Sequence, residues 1–377
     1  MNYIALKDVC TINMGQSPES SSYNEIGDGI PFFQGNADFG ERYPITRVWC
    51  NKPTKVAKAE DILISVRAPI GAMNYAKEKC CIGRGVAALT PNEEKVSSEF
   101  IFWLLKGKNN ELNQKGTGST FKAIGRKVLE EIQVPEINLE LQRKYASNLE
   151  RIYSIIQDRQ RQLEQLDKLV RARFVEMFGD ESNPLRWDVV NVEDVATVQV
   201  DVVIKPAQYY TDAANGVRAF RSLNIGPMNI KDNDWVYFSE EGNSKNAKSI
   251  LKENDLLIVR SGAPGTACVV TKQYAGCNAI DIIIAHPDMN KVNPYYLCAY
   301  TNFPHGKRQI DEGTGGAAQQ HFNVGKYNKL QLMLPPIEKQ DEFVVFIEQV
   351  NKSKLKVEES LKKMETLQKS LMQQYFG

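Results

Sequence analysis

Residues 142–179 read QRKYASNLERIYSIIQDRQRQLEQLDKLVRARFVEMFG, and residues 340–377 read QDEFVVFIEQVNKSKLKVEESLKKMETLQKSLMQQYFG. The two segments lie on each other without a gap, and both end in Phe-Gly. In the first, Tyr145, Leu149, Ile152, Ile156, Leu163, Leu166, Val170 and Met177 alternate four and three apart, with Arg159 and Arg173 completing the stripe. In the second, Phe343, Ile347, Val350, Val357, Leu361, Met364, Leu371 and Tyr375 do the same, with Lys354 and Gln368 as the polar interruptions. Neither segment contains Gly or Pro before its end. Such a heptad stripe predicts a long helix with a narrow seam, for which the natural partner is the other copy. Polar residues in a seam lower stability but fix register. At 1.5 Å per residue, each helix is expected to span roughly 50 Å.

The duplication extends outward from the helices. Leu6-Lys7-Asp8-Val9 matches Val192-Glu193-Asp194-Val195, Asp61-Ile62-Leu63-Ile64 matches Asp255-Leu256-Leu257-Ile258, and Gly116-Thr117-Gly118 matches Gly313-Thr314-Gly315. The displacement between matched positions grows from 186 to 198 residues without losing order. One fold carrying a few loop insertions in its second copy behaves this way; chance matches do not keep their order. Compact apolar runs at 61–66 and 255–259 predict buried strands. Residues 97–106 and 293–301 predict short helices, with Ser97 or Ser98 capping the first and Pro294 opening the second. The expected architecture is α/β (α+β): globular blocks at 1–141 and 180–339 and helices at 142–179 and 340–377. The helices pair antiparallel as a coiled-coil spacer with pseudo-two-fold symmetry. Half-sites one turn of B-DNA apart are separated by about 34–36 Å, so a spacer of this length suits two half-sites on one duplex.

The bulk properties exclude several classes. The net charge of +1 rules out a uniformly basic nucleic-acid binder but not charge gathered on one face. Seven irregularly placed cysteines in 377 residues indicate a reduced, cytoplasmic protein rather than a disulfide scaffold. The N-terminus lacks a signal-peptide pattern, and the apolar runs are too short to span a membrane.

Four places recur in both blocks with donors suited to base edges or phosphates. They are Gln34 and Asn36 against Arg218, Arg221 and Asn224; Arg67 against Arg260 and Ser261; Arg84 against Asn278; and Ser119, Thr120 and Lys122 against Gln319, Gln320 and His321. Each sits at a loop, where recognition chemistry concentrates. The copies differ at these places, so a target read by them is expected to have unlike halves. No catalytic or metal constellation stands out. His286, His305 and His321 lack spaced partners, Cys80-Cys81 is adjacent, and Cys268 and Cys277 are too far apart for a C-x-x-C pair. No phosphate-binding G-x-x-x-x-G-K-[ST] occurs. Asn293-Pro294-Tyr295-Tyr296 resembles the N-P-P-Y of amino-methyltransferases but lacks the second proline and is read as a helix start.

The doubled order of these features resembles the specificity subunit of type I restriction–modification enzymes. The resemblance rests on Phe174–Gly179 (Phe-x-x-Met-Phe-Gly), on the strand-loop 61–71 with its counterpart 255–265, on 116–122, and on Pro135…Gln142 and Pro336…Gln340. It covers essentially the whole chain and implies two target recognition domains, each reading one half of a bipartite DNA site, held apart by the helices. It also implies a non-catalytic chain that binds two modification (methyltransferase) subunits, with restriction subunits joining to form the nuclease. S-adenosylmethionine, ATP and Mg belong on those partners, none on this chain. It does not indicate which residues touch bases. Two other classes stay open at this point: a recognition domain fused to its own methyltransferase or nuclease, and a coiled-coil scaffold that does not bind DNA.

Overall fold

The computed structural model describes residues 2–118, 122–200, 203, 205–314 and 322–377. The chain forms two compact units, Met1–Arg161 with Glu358–Gly377, and Gln162–Val357. Each takes part of both long helices, which run Leu139–Phe178 and Ile337–Phe376. Both begin three residues before the starts expected at Gln142 and Gln340.

In the first unit, a four-stranded antiparallel sheet has the order Cys10–Met14, Val86–Pro91, Ile62–Ser65, Met73–Tyr75. Ile62 and Ile64 face a core built with the helix Ser98–Gly107, while Leu63 on the other face packs with Phe33, Cys80 and Ile82. Burial on both faces explains why this strand is apolar throughout instead of alternating. Phe33, Cys80 and Ile82 belong to a second, five-stranded sheet in which Ile30–Phe33 and Cys80–Ile82 run parallel at its centre. The helix starts at Ser97, whose side chain accepts from Phe100 N–H.

The second unit repeats the plan. Its four-stranded sheet has the order Ala196–Val200, Ile282–Pro287, Leu256–Val259, Ala267–Val269. Leu256 and Ile258 face one core, Leu257 and Val259 another. A second four-stranded sheet again has a parallel pair, Val217–Phe220 with Asn278–Ala279. Asn293 caps the helix Pro294–Asn302 by accepting from Tyr295 N–H.

A buried glutamine docks each long helix on its block. Gln142 Oε1 accepts from Ser97 N–H at 2.9 Å, and its amide donates to Lys95 O and Ile137 O. Gln340 Oε1 accepts from Asn293 N–H at 2.8 Å, and its amide donates to Lys291 O and Pro335 O. Both satisfy an otherwise orphaned helix-start N–H.

The helices pair antiparallel within each unit. In the first, Tyr145 stacks on Tyr375 with ring centroids 3.8 Å apart, and Asn148 donates to the Tyr375 hydroxyl. In the second, Phe174 packs edge-on to Phe343, and Lys354 pairs with Asp167. Along the stripe, Leu149, Ile152, Ile156, Val170, Ile347, Val350 and Val357 are buried, and Leu163, Leu166, Leu361, Met364 and Leu371 are half-buried. The expectation of a narrow seam holds only in part. Phe174, Phe178 and Phe376, off the stripe, are buried in the globular cores, so the helix ends present a broad apolar face to their blocks. Among the described residues, no helix is long and apolar enough to cross a membrane.

Candidate nucleic-acid interface

In the first unit, backbone hydrogen bonds join the loops that leave the sheets. Gly83 N–H donates to Phe33 O at 2.8 Å, tying the turn before Arg84 to the strand that ends just before Gln34. Val66 N–H donates to Gly85 O at 2.9 Å, and Ala68 N–H to Lys122 O at 3.0 Å. Thr117 and Ala123 exchange both their bonds, closing the Gly-rich loop. The positions of Gln34, Arg67, Arg84 and Lys122 therefore lie on one hydrogen-bonded set of loops, and all four residues are exposed. Ser119 and Thr120 lie outside the described residues.

Asp38 shapes the first of these loops. Its carboxylate accepts from Gln34 N–H at 2.7 Å and Gly35 N–H at 3.3 Å across the turn Asn36–Asp38. Arg47 donates to Ala37 O and stiffens the same turn. Composition gave no reason to single out Asp38 or Arg47; both act through partners several residues away. The turn borders a depression of about 520 Å³ lined by Gln34, Asn36, Asp38, Val48, Ala68 and Pro69. Two places that are far apart in sequence thus share one concave surface.

The second unit carries the same backbone with different occupants, and three expectations need correction. Strand register pairs Ile62 with Leu89 and Leu256 with Ala285, and Gly71 N–H to Ser65 O matches Gly265 N–H to Val259 O. The counterpart of Arg67 is therefore Ser261, and Arg260 stands where the first unit has buried Val66. Ile124 N–H binds Val66 O just as Phe322 N–H binds Arg260 O. The Arg260 side chain turns inward: its guanidinium pairs with Asp281 and donates to Phe322 O. Asp281 occupies the place of Gly85. The ion pair Arg260–Asp281 replaces Val66–Gly85, so Arg260 is not displayed as a reading group.

Asn224 is the second correction. It is fully buried, accepting from Arg221 N–H and donating to Asn233 O. It corresponds to Asp38, in a loop one residue shorter, and braces that loop. Arg218 is the third. It lies over the Trp235 and Tyr274 rings, at 5.5 and 5.9 Å, with Asp232 at 3.8 Å. Arg221 is half-buried and donates to Asp234 O. Asn278, set against Arg84 in the sequence, is not its counterpart: the parallel strand register aligns it with Cys81, and it is buried and bonded to Ser249 and Asn243. Gln319, Gln320 and His321 lie outside the described residues.

No catalytic chemistry assembles elsewhere among the described residues. His286 Nδ1 sits 2.5 Å from Asp255 Oδ1 and its Nε2 3.0 Å from the Gln199 amide, filling the place where Thr90 donates to Asp61 in the first unit. His305 contacts Gly179 O and packs on Phe174. All seven cysteines are buried, and burial pushes the thiols of Cys10, Cys80 and Cys268 up to about 12, so they are poor nucleophiles. No group of His, Cys, Asp and Glu suited to a metal ion is found among the described residues.

Two loop-bearing scaffolds of one plan, each docked on a pair of long helices, define a tandem recognition protein. The chain belongs to the family of the type I restriction modification DNA specificity domain, which matches residues 1–166 and again 184–366. A putative type I restriction enzyme MjaX specificity subunit of Methanocaldococcus jannaschii is 48% identical over 157 residues, a match covering 42% of this chain and 37% of that one. The type I restriction enzyme EcoBI specificity subunit of Escherichia coli is 19% identical, over 92% of this chain and 78% of its own. The crystal structure of the S subunit of a type I restriction–modification system from M. genitalium has the same fold. It aligns with a TM-score of 0.63 at 12% identity, over 100% of this chain and 96% of that one.

Proposed function

We propose that this chain is the DNA-reading, non-catalytic specificity subunit of a type I restriction–modification complex. It recognises a bipartite, asymmetric site in double-stranded DNA, one half by each recognition domain (1–141 and 180–339). The helices 142–179 and 340–377 act as the spacer that sets the gap. Two modification subunits, carrying S-adenosylmethionine, methylate adenine at the site; restriction subunits, using ATP and Mg, cleave. The observation that carries this reading is the doubled loop cluster: one backbone plan in both units, but different side chains at matched positions. Equal scaffolds with unequal reading groups suit a target with two unlike halves.

The test is methylome sequencing of cells expressing this chain with its modification subunit. The expected result is adenine methylation at a split, asymmetric motif, with neither subunit active alone. Methylation or cleavage by the purified lone chain, or a contiguous motif, would overturn the reading. Inserting one heptad after Ile156, with a matching one in the second helix, is expected to lengthen the gap and leave both half-motifs intact.

A further inference from the structure

We propose that the depression beside Gln34 in the first unit seats the edge of an A·T base pair, adenine toward the carboxamides and the thymine methyl against the apolar wall. This rests on the reading above that the chain binds duplex DNA, and it adds what one half of the site contains.

The lining decides the base pair. Val48, Ala68 and Pro69 give the depression apolar lining, beside buried Phe32. Gln34 and Asn36 add carboxamides to the same lining, and no hydrogen bond to either carboxamide group is found among the described residues. A carboxamide offers one donor and one acceptor, which matches the N6 donor and N7 acceptor of adenine. Guanine presents two acceptors in the major groove and needs two donors. No cation is among the lining residues: Arg67, the residue before Ala68, is exposed, and Arg47 donates to Ala37 O.

Asp38 adds discrimination of the opposite sign. Its Oδ2 is engaged by Gln34 and Gly35 N–H, which holds a carboxylate at the depression's edge. A carboxylate repels guanine's edge of acceptors and tolerates the amine of adenine or cytosine, so the choice between those two falls to the methyl of the paired thymine. Of the four bases only thymine carries a methyl group in the major groove, and a wall of aliphatic carbons gains from covering it.

The second unit is not built for the same pair. Arg221 stands in the place of Gln34, Asn224 is buried in the place of Asp38, and Gly262 and Ala263 replace Ala68 and Pro69. The effect is therefore confined to one half-site.

The test uses the chain in complex with its modification subunit and duplexes carrying its mapped motif. Each thymine is replaced in turn by deoxyuridine, which removes only the methyl. In the wild type, one position in one half is expected to lose about threefold to tenfold in affinity, the other half being insensitive. Ala68→Leu fills the depression from an exposed position; Val48→Ala thins its wall. In both variants the deoxyuridine penalty is expected to vanish and the base preference at that position to relax. Deoxyuridine neutral at every position, or a penalty unchanged in both variants, overturns the inference and leaves the split-site reading standing. Absence of any split motif overturns that reading itself.

Discussion

The first unit places Val66 against Gly85 where the second places Arg260 against Asp281, on the same strand exit, with Ile124 N–H bound to Val66 O as Phe322 N–H is to Arg260 O. The difference is set by what lies across the turn. In the first unit, a Cβ at Gly85 would come within 2.2 Å of Gln34 O, so no acid fits there and no cation could be neutralised beside it. Asp281 meets no such barrier and sits at a φ of 55°, a left-handed conformation that Asp tolerates better than most residues. The first unit can therefore spend its arginine outward, at Arg67, while the second uses its own to stitch the loop. Matched sequence letters in a duplicated protein do not imply matched roles; matched backbone bonds do.

The sharpest way to break this comparison is Val66→Arg. The new guanidinium would be buried without an acid opposite, and the first unit is expected to lose about 3–5 kcal/mol, read as a drop in its thermal transition. A stable Val66→Arg protein would mean that the two loop exits are not the equivalents described. Next come the docking glutamines. Gln142→Ala and Gln340→Ala each leave a helix-start N–H and two carbonyls unsatisfied, and each is expected to cost about 1–3 kcal/mol. Denaturant melts giving unequal losses would break the equivalence of the two helix dockings.

Smaller effects sharpen the functional side of the contrast. Arg67→Ala is expected to weaken DNA binding and, if its contact is to a phosphate, to reduce the salt dependence by about one unit of slope. Arg260→Ala is expected to lower stability by about 1 kcal/mol with little change in that slope, since Asp281 is half exposed to solvent. Titrations across salt concentrations check both, and equal slopes for the two variants would erase the proposed difference. A further effect is common to the two units. Burial raises the thiols of Cys10 and Cys268 from 9.0 to about 12, so the folded chain holds more protons than the unfolded chain between those values. Their contribution to stability is complete below pH 9 and is lost as pH climbs toward 12. Alkaline melts showing no decline in that window would contradict it.

Much of this architecture was legible in one dimension. The heptad stripes, the ordered repeat and the apolar runs at 61–66 and 255–259 depend on local period and composition, and they led directly to paired helices and matched buried strands. Helix breadth was misread because Phe174, Phe178 and Phe376 lie off the stripe and find their cores only through distant elements. The loop residues were found in kind but not in role. Gln34 and Arg67 are exposed on one loop set, whereas Asn224, Arg218 and Arg260 are consumed by partners within the fold.

The sequence by itself determined that this protein is a duplicated block-and-helix chain, because periodicity and repetition are properties of neighbours along the chain. Only the tertiary structure decided which arginine faces outward, that Ser261 rather than Arg260 answers Arg67, and that Gln142 and Gln340 are the docking pins. Those outcomes hang on contacts between residues 21 to 62 positions apart, whose chemistry is fixed by what the fold brings opposite them.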